Sequence, residues 1–175
     1  ATTAGSGGDG GGTYTYQPPD LEGRLHVAHY LGDYELFTFD TSDLSSVAAP
    51  VEPGAPLGGM TGIAKHGVLA VTMEGGETIQ VYDAATMTQI TGSPYSTGNA
   101  PVDVAHDDNR DLLYVYCIGT EGNPEESLLT VYDTSSVPYQ EVPGSPFDID
   151  VPATHIEVDP VPGHVFGVSL FTRWA

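Results

Sequence analysis

The sequence predicts an all-β protein made of β-propeller blades, about 3.5 four-stranded repeats in number. Two observations carry this reading. Strand-like segments recur from Arg24 onward with a period of roughly 40–50 residues, the length of one blade. Polar, turn-forming clusters separate them, and helical periodicity is nowhere convincing. A count of about 3.5 blades leaves a ring unclosed, so the expected object is a partial propeller, or one completed by another chain or copy.

Residues 1–12, ATTAGSGGDGGG, form a Gly/Ser/Thr-rich leader that buries too little apolar surface to offset the entropy of ordering, and it reads as a flexible tether. Residues 13–23 hold an N-terminal strand and a Pro-containing connector: TYTYQ alternates β-branched and aromatic residues ahead of Pro18 and Pro19. Tyr14, Thr15 and Tyr16 are candidates for a strand donated to a neighbouring sheet.

The repeats occupy 24–175, divided as 24–66, 67–110, 111–163 and an incomplete 164–175. LHVAHYLG from Leu25, VLAVTMEG from Val68, LLYVYCIG from Leu112 and VFGVSLFT from Val165 lie over one another without gaps, with Ala28, Val71, Val115 and Val168 in one column. A second line of repetition is ELFTFD ending at Asp40, TIQVYD at Asp83 and LLTVYD at Asp133. The third unit carries a longer hairpin, GTEGNPEES, polar enough for a surface loop. MTGIAKH, PVDVAHD and THIEVDP each precede a first-line strand, and GSPY and GSPF close the second and third units. Blades stack face to face, so their inner strands should be almost continuously apolar, as LLYVYCI and VFGVSLF are.

Charge limits the partners. Four Lys plus Arg against 24 Asp plus Glu give a net charge of −20. Nucleic acid and anionic membrane surfaces both need clustered cations and are excluded as partners. Two readings of the acidity stay open: solubility by self-repulsion, and adaptation to a salty medium that screens it. The apolar runs are too short to span a bilayer, and Cys117, the single cysteine, permits no intrachain disulfide and no thiolate zinc cluster. The expected location is extracellular or at the cell surface.

The succession LLYVYCIG, LLTVYDTSS and EVPGSPF resembles the YVTN-type and lactonase-like β-propeller repeats of bacterial and archaeal surface proteins, over residues 24–175. The resemblance implies a six- or seven-bladed ring, secreted or surface-attached, concerned with binding. None of the matching motifs is catalytic, so no catalytic residue is carried over.

The candidate sites are few. Asp107, Asp108, Asn109 and Asp111 form the densest acidic loop, a candidate calcium site whose alternative is an ordinary hairpin turn; no other cofactor is expected. The histidines, His26, His29, His66, His106, His155 and His164, show neither HxH nor HExxH spacing, though His66 and His106 both end a first strand. Asp40, Asp83 and Asp133 recur once per blade, which marks them as turn caps and not as one active site. Tyr95, Tyr116, Tyr132, Tyr139, Phe147 and Trp174 are either stacking platforms or packing residues. The sequence thus favours a non-catalytic scaffold for protein binding or self-assembly, a filament subunit with strand exchange among its forms. Its partners are expected to be copies of itself or the rest of a longer chain. The alternative is a lactonase-like propeller hydrolase, with a metal-assisted form among its variants.

Overall fold

The computed structural model describes residues 23–29, 34–119, 126–149, 153–159 and 161–168. They form four antiparallel sheets in chain order. The first pairs β1 (Arg24–Ala28) with β2 (Leu36–Asp40), and bridges from Val51 to Leu36 and from Ser46 to Phe39 extend it outward. The second orders β3 (Leu57–Ile63), β4 (Val68–Met73), β5 (Thr78–Asp83) and β6 (Tyr95–Ser96). The third orders β7 (Ala100–Asp107), β8 (Leu112–Ile118) and β9 (Leu128–Asp133), with the two short strands β10 (Gln140–Glu141) and β11 (Phe147–Asp148) both on the outer edge of β9. The fourth pairs β12 (His155–Asp159) with β13 (His164–Val168). The chain is nearly all β and has the layout of a partial propeller, as the sequence predicts.

Sheets and sequence repeats are one strand out of phase. MTGIAKH, placed by the repeat at the end of unit 24–66, belongs through β3 to the sheet of β4. PVDVAHD likewise joins β8 and THIEVDP joins β13. Each blade therefore begins with the segment that the repeat puts last.

The register also corrects the column of Ala28, Val71, Val115 and Val168. Arg24, Val68 and Leu112 pair with Asp40, Asp83 and Asp133, so the residue matching Val71 and Val115 is Val27. On β13, His164 pairs with Asp159 as Val68 pairs with Ile63 and Leu112 with Asp107, which puts Gly167 in that place. The gapless overlay matched valines and slipped by one residue in the first and fourth blades, and in a strand such a slip exchanges the two faces. A better anchor is the left-handed residue just before each second strand: Gly23, Gly67, Asp111 and Gly163, at φ 69, 63, 54 and 72°. Three are glycine because only it adopts that conformation freely; aspartate tolerates it best among charged residues.

The outer edge of each full blade repeats a device. Ser93 and Ser145, in the GSP segments, turn their hydroxyls back onto β5 and β9, where Val81 N–H and Val131 N–H donate to them at 2.9 Å in both cases. The hydroxyl thus replaces a ladder carbonyl where the outer strand kinks.

Three apolar seams hold the sheets together. Leu36 with Ala28 packs on Leu69, Val71, Met73 and Tyr82 between the first and second blades. Val68, Ala70, Ile79 and Val81 meet Val104, Leu113, Val115 and Cys117 between the second and third. Tyr114, Tyr116 and Val131 meet Ile156, Val158 and Val165 between the third and fourth. Odd and even residues of one strand thus enter different seams, which is why β4 and β8 are buried almost throughout.

Candidate functional site

The first strands β3, β7 and β12 approach one another most closely between sheets and form the narrow side of the stack. Gly58 and Gly59 make this possible. A Cβ on Gly58 would lie 2.7 Å from the Val102 carbonyl oxygen, and one on Gly59 would lie 1.9 Å from Asp103 Oδ1. Asp103 is buried here and ties the third blade to the fourth: its Oδ2 accepts Ile156 N–H at 2.7 Å and lies 2.6 Å from His155 Nδ1. Sequence reasoning passed over Asp103. The signal was a single acid inside the otherwise apolar PVDVA, where an acid is rarely buried without a partner.

The acidic loop is divided among separate partners. Asp107 is fully buried; its Oδ1 accepts the Asn109 and Arg110 amides, and its Oδ2 takes Arg110 Nη1 at 2.7 Å. Asp108 Oδ1 lies 3.0 Å from His106 Nδ1. Both oxygens of Asp111 bind Lys65 Nζ, whose hydrogen bonds hold that carboxyl below the usual carboxylate range. Asn109 supplies the amide already named. The two amides on Asp107 are contacts of a hairpin turn, and among the described residues no three His, Cys, Asp or Glu side chains converge as metal ligands.

The histidines are also dispersed. His106 lies within β7, its Nε2 3.0 Å from Thr134 Oγ1, and burial lowers its pKa; His66 sits beyond β3 in a 3-10 turn, 3.7 Å from Asp111. They meet near one loop without occupying matching strand positions. His26 is buried against Thr38 at 3.0 Å, with its Nε2 lacking a hydrogen-bond partner among the described residues. Burial, then the neighbouring Arg24, lowers its pKa. His155 binds Asp103, His164 stands edge-on to Phe166, and His29 is exposed.

The recurring aspartates act on their turns. Asp40 Oδ1 accepts Ser42 N–H and its hydroxyl; Asp83 Oδ1 accepts the amides of Ala85 and Thr86; Asp133 Oδ1 accepts Ser135 N–H. Hydrogen bonds depress all three carboxyl pKa values, led by the Ser42 side chain at Asp40, the Thr86 amide at Asp83 and the Ser135 side chain at Asp133. Tyr95 stacks on Tyr139 with ring centroids 5.3 Å apart, and Tyr116 and Tyr132 are buried, so these four are packing residues. Phe147 is exposed, while Trp174 lies outside the described residues. Cys117 is buried in the second seam, and burial pushes its thiol up to about 11, far from a reactive thiolate.

The surfaces that stand out are the two ends of the stack. On the first blade Leu25 and Val27 are 44% and 39% exposed, beside the stacked rings of Phe37 and Phe39. Their counterparts Leu69 and Val71, and Leu113 and Val115, are 3% exposed or less. On the fourth blade Phe166 and Val168 are 53% and 56% exposed, whereas their counterparts Ala70 and Thr72 in the second are fully buried. Among the described residues β1 also lacks a neighbour on the side where β3, β7 and β12 stand in the other sheets. Tyr14, Thr15 and Tyr16, the candidate donor strand, lie outside the described residues.

No protein-family profile matches the chain, and no curated protein matches it. Solved structures do. The chain is similar to a chain of the mitotic checkpoint complex, with TM-score 0.65 and 13% identity over 84% of this chain and 43% of that one. It is similar to hydrazine synthase of Kuenenia stuttgartiensis, with TM-score 0.66 and 17% identity over 81% of this chain and 37% of that one. It is similar to a chain of the nidogen/laminin complex, with TM-score 0.64 and 9% identity over 84% of this chain and 52% of that one. At such identities the likeness concerns the fold: the neighbours are β-propellers, and the chain spans about half their length or less. The chain therefore has the fold of part of a β-propeller, with Leu25, Val27, Phe166 and Val168 on the outward faces of its first and last described sheets.

Proposed function

We propose that this chain belongs to a non-catalytic β-propeller scaffold, extracellular or at the cell surface, for protein binding or self-assembly, with further blades supplied by the rest of a longer chain or by copies of itself. One observation carries the proposal: the sheets pack face to face through three apolar seams, and the first and last described sheets carry the same kind of apolar face, on which further blades, of a longer chain or of a copy, can continue. The acid-rich composition and the leader 1–12 support a location outside the cell. The side of β1 left open among the described residues supports strand addition, for which Tyr14, Thr15 and Tyr16 are the candidate donor within or between copies. Strand exchange between successive copies would build a filament.

Light scattering after size separation, combined with electron-microscope images, tests this. Rings or fibres larger than one chain, or a stable complex with an added protein, are the expected result. A compact monomer that binds nothing and exposes no dye-binding apolar surface would overturn it.

A further inference from the structure

We infer that the open side of β1 is the docking site of residues 13–17 of this same chain, which complete the first sheet as its innermost strand and set Gln17 against the buried His26. This rests on the strand addition proposed above and specifies its donor and register.

The other three sheets give the place. Each opens with a strand that ends four residues before a left-handed residue: Ile63 before Gly67, Asp107 before Asp111 and Asp159 before Gly163. The last residue of that strand pairs with the first of the next, Val68, Leu112 or His164. In the first sheet the left-handed residue is Gly23 and β1 begins at Arg24, while β1 has no neighbour on the inner side among the described residues. The same turn puts Pro19 opposite Arg24, Gln17 opposite His26, Tyr16 opposite Val27 and Thr15 opposite Ala28. Tyr16 then takes the place of Met60, Val104 and Ile156, which enter the apolar seams of the other sheets. An innermost strand is an edge strand, the part of a sheet that tolerates residues such as Pro18 and Pro19.

His26 supplies an independent observation. It is 7% exposed, its Nδ1 lies 3.0 Å from Oγ1 of Thr38, its cross-strand neighbour on β2, and its Nε2 is buried without a hydrogen-bond partner among the described residues. Buried polar atoms are seldom left so. In the inferred register Gln17 is the cross-strand neighbour on the other side, with Cβ atoms about 5 Å apart, and its amide both donates and accepts, so it suits either tautomer of the ring. The centre of this row holds Ala70 and Tyr114 in the second and third sheets, beside Val81 and Val131. Only in the first described pair of strands does a polar ring between polar neighbours take its place. The connection through residues 18–23 is short, which holds the chain's own segment at this edge at an effective concentration that a separate copy does not reach.

Paired cysteines test register and donor together. Tyr16→Cys with Val27→Cys sets two thiols at facing positions, whereas Thr15→Cys with Val27→Cys sets them on opposite faces of the sheet. Cys117 is buried and stays out of the reaction, and melting curves are checked against the parent. Mild oxidation should close a bond within one chain in the first variant about tenfold or more faster than in the second. Equal rates, or no bond in either, would overturn the docking and its register. Disulfide-linked dimers of the first variant would overturn the same-chain donor in favour of exchange between copies. Each of these leaves the scaffold reading standing, since that is decided by particle size and binding. As a second measurement, Gln17→Leu should move the Nε2 nitrogen resonance of His26, and an unchanged resonance would overturn the contact.

Discussion

Replacing Asp103 with alanine is expected to loosen the fourth blade from the third. The carboxylate receives Ile156 N–H at 2.7 Å and His155 Nδ1 at 2.6 Å, and the two contacts differ in weight because their surroundings differ. Ile156 is buried, so removing its acceptor leaves an amide without water or partner, at a cost of about 1–3 kcal/mol. The His155 side chain is 65% exposed, so water screens its pairing with Asp103, whose share is ~0–1 kcal/mol. A total near 2 kcal/mol corresponds to a fall in melting temperature of roughly 4–8 °C for a domain of this size. Hydrogen exchange should locate the damage: the amides of Ile156 and Val158 speed up, while Val71 and Val115, in the seams before, keep their protection. Asp103→Asn retains an acceptor of the same shape and should restore most of the loss. An unchanged melting curve for the alanine variant, with unchanged exchange at Ile156, would refute the reasoning. Equal damage from asparagine would shift the weight from the amide to the charge.

Three other outcomes are expected. Gly59→Ala puts a Cβ 2.8 Å from Asp103 Cα, a backbone atom that cannot move aside, so thermal unfolding should show a loss of about 1–3 kcal/mol from overpacking. His26 has its pKa lowered below 6.5 in the folded chain, so the unfolded chain takes up a proton that the folded one resists. Its contribution is present above pH 6.5 and lost as pH falls below it; in His26→Leu the gap between melting temperatures at pH 7.5 and 5.5 should narrow, and an unchanged gap would count against the assignment. Cys117 should resist thiol reagents in the native chain and react once per molecule after unfolding, because burial holds its thiol up at about 11.

The architecture was legible because each blade repeats a physical requirement. An aspartate must cap the turn after each third strand, a serine must fill the gap in each kinked outer edge, and a left-handed residue must precede each second strand. Those marks survive as Asp40, Asp83 and Asp133, as Ser93 and Ser145, and as Gly23, Gly67 and Gly163. Register was less legible. Valine fits either face of a strand buried on both sides, so aligning valines could not tell Val27 from Ala28. Cross-blade contacts were not legible at all: Asp103 reaches Ile156 across many intervening residues, and no local spacing encodes a tie between two sheets. Which residues line the outward faces of the first and last described sheets follows only from the register.

The same placement removes an apparent conflict between a net charge of −20 and assembly from several blades. Charge opposes association where it must be desolvated or brought close to its like. Here the aspartates that recur are at strand ends, where Asp40, Asp83 and Asp133 are exposed or half-buried and receive hydrogen bonds from their own turns. The seams are lined by valine, leucine, tyrosine and alanine, and the buried carboxylates beside them are paired, Asp103 with an amide and an imidazole and Asp107 with Arg110. Repulsion between blades therefore acts between their rims, through water, over a distance that salt shortens to about 10 Å at 0.1 M. Contact between faces is governed by apolar area that salt does not weaken. The melting temperature of the chain should accordingly hold or rise as ionic strength rises, and a fall with added salt would show that ion pairs at the rims and not the apolar faces hold the blades together.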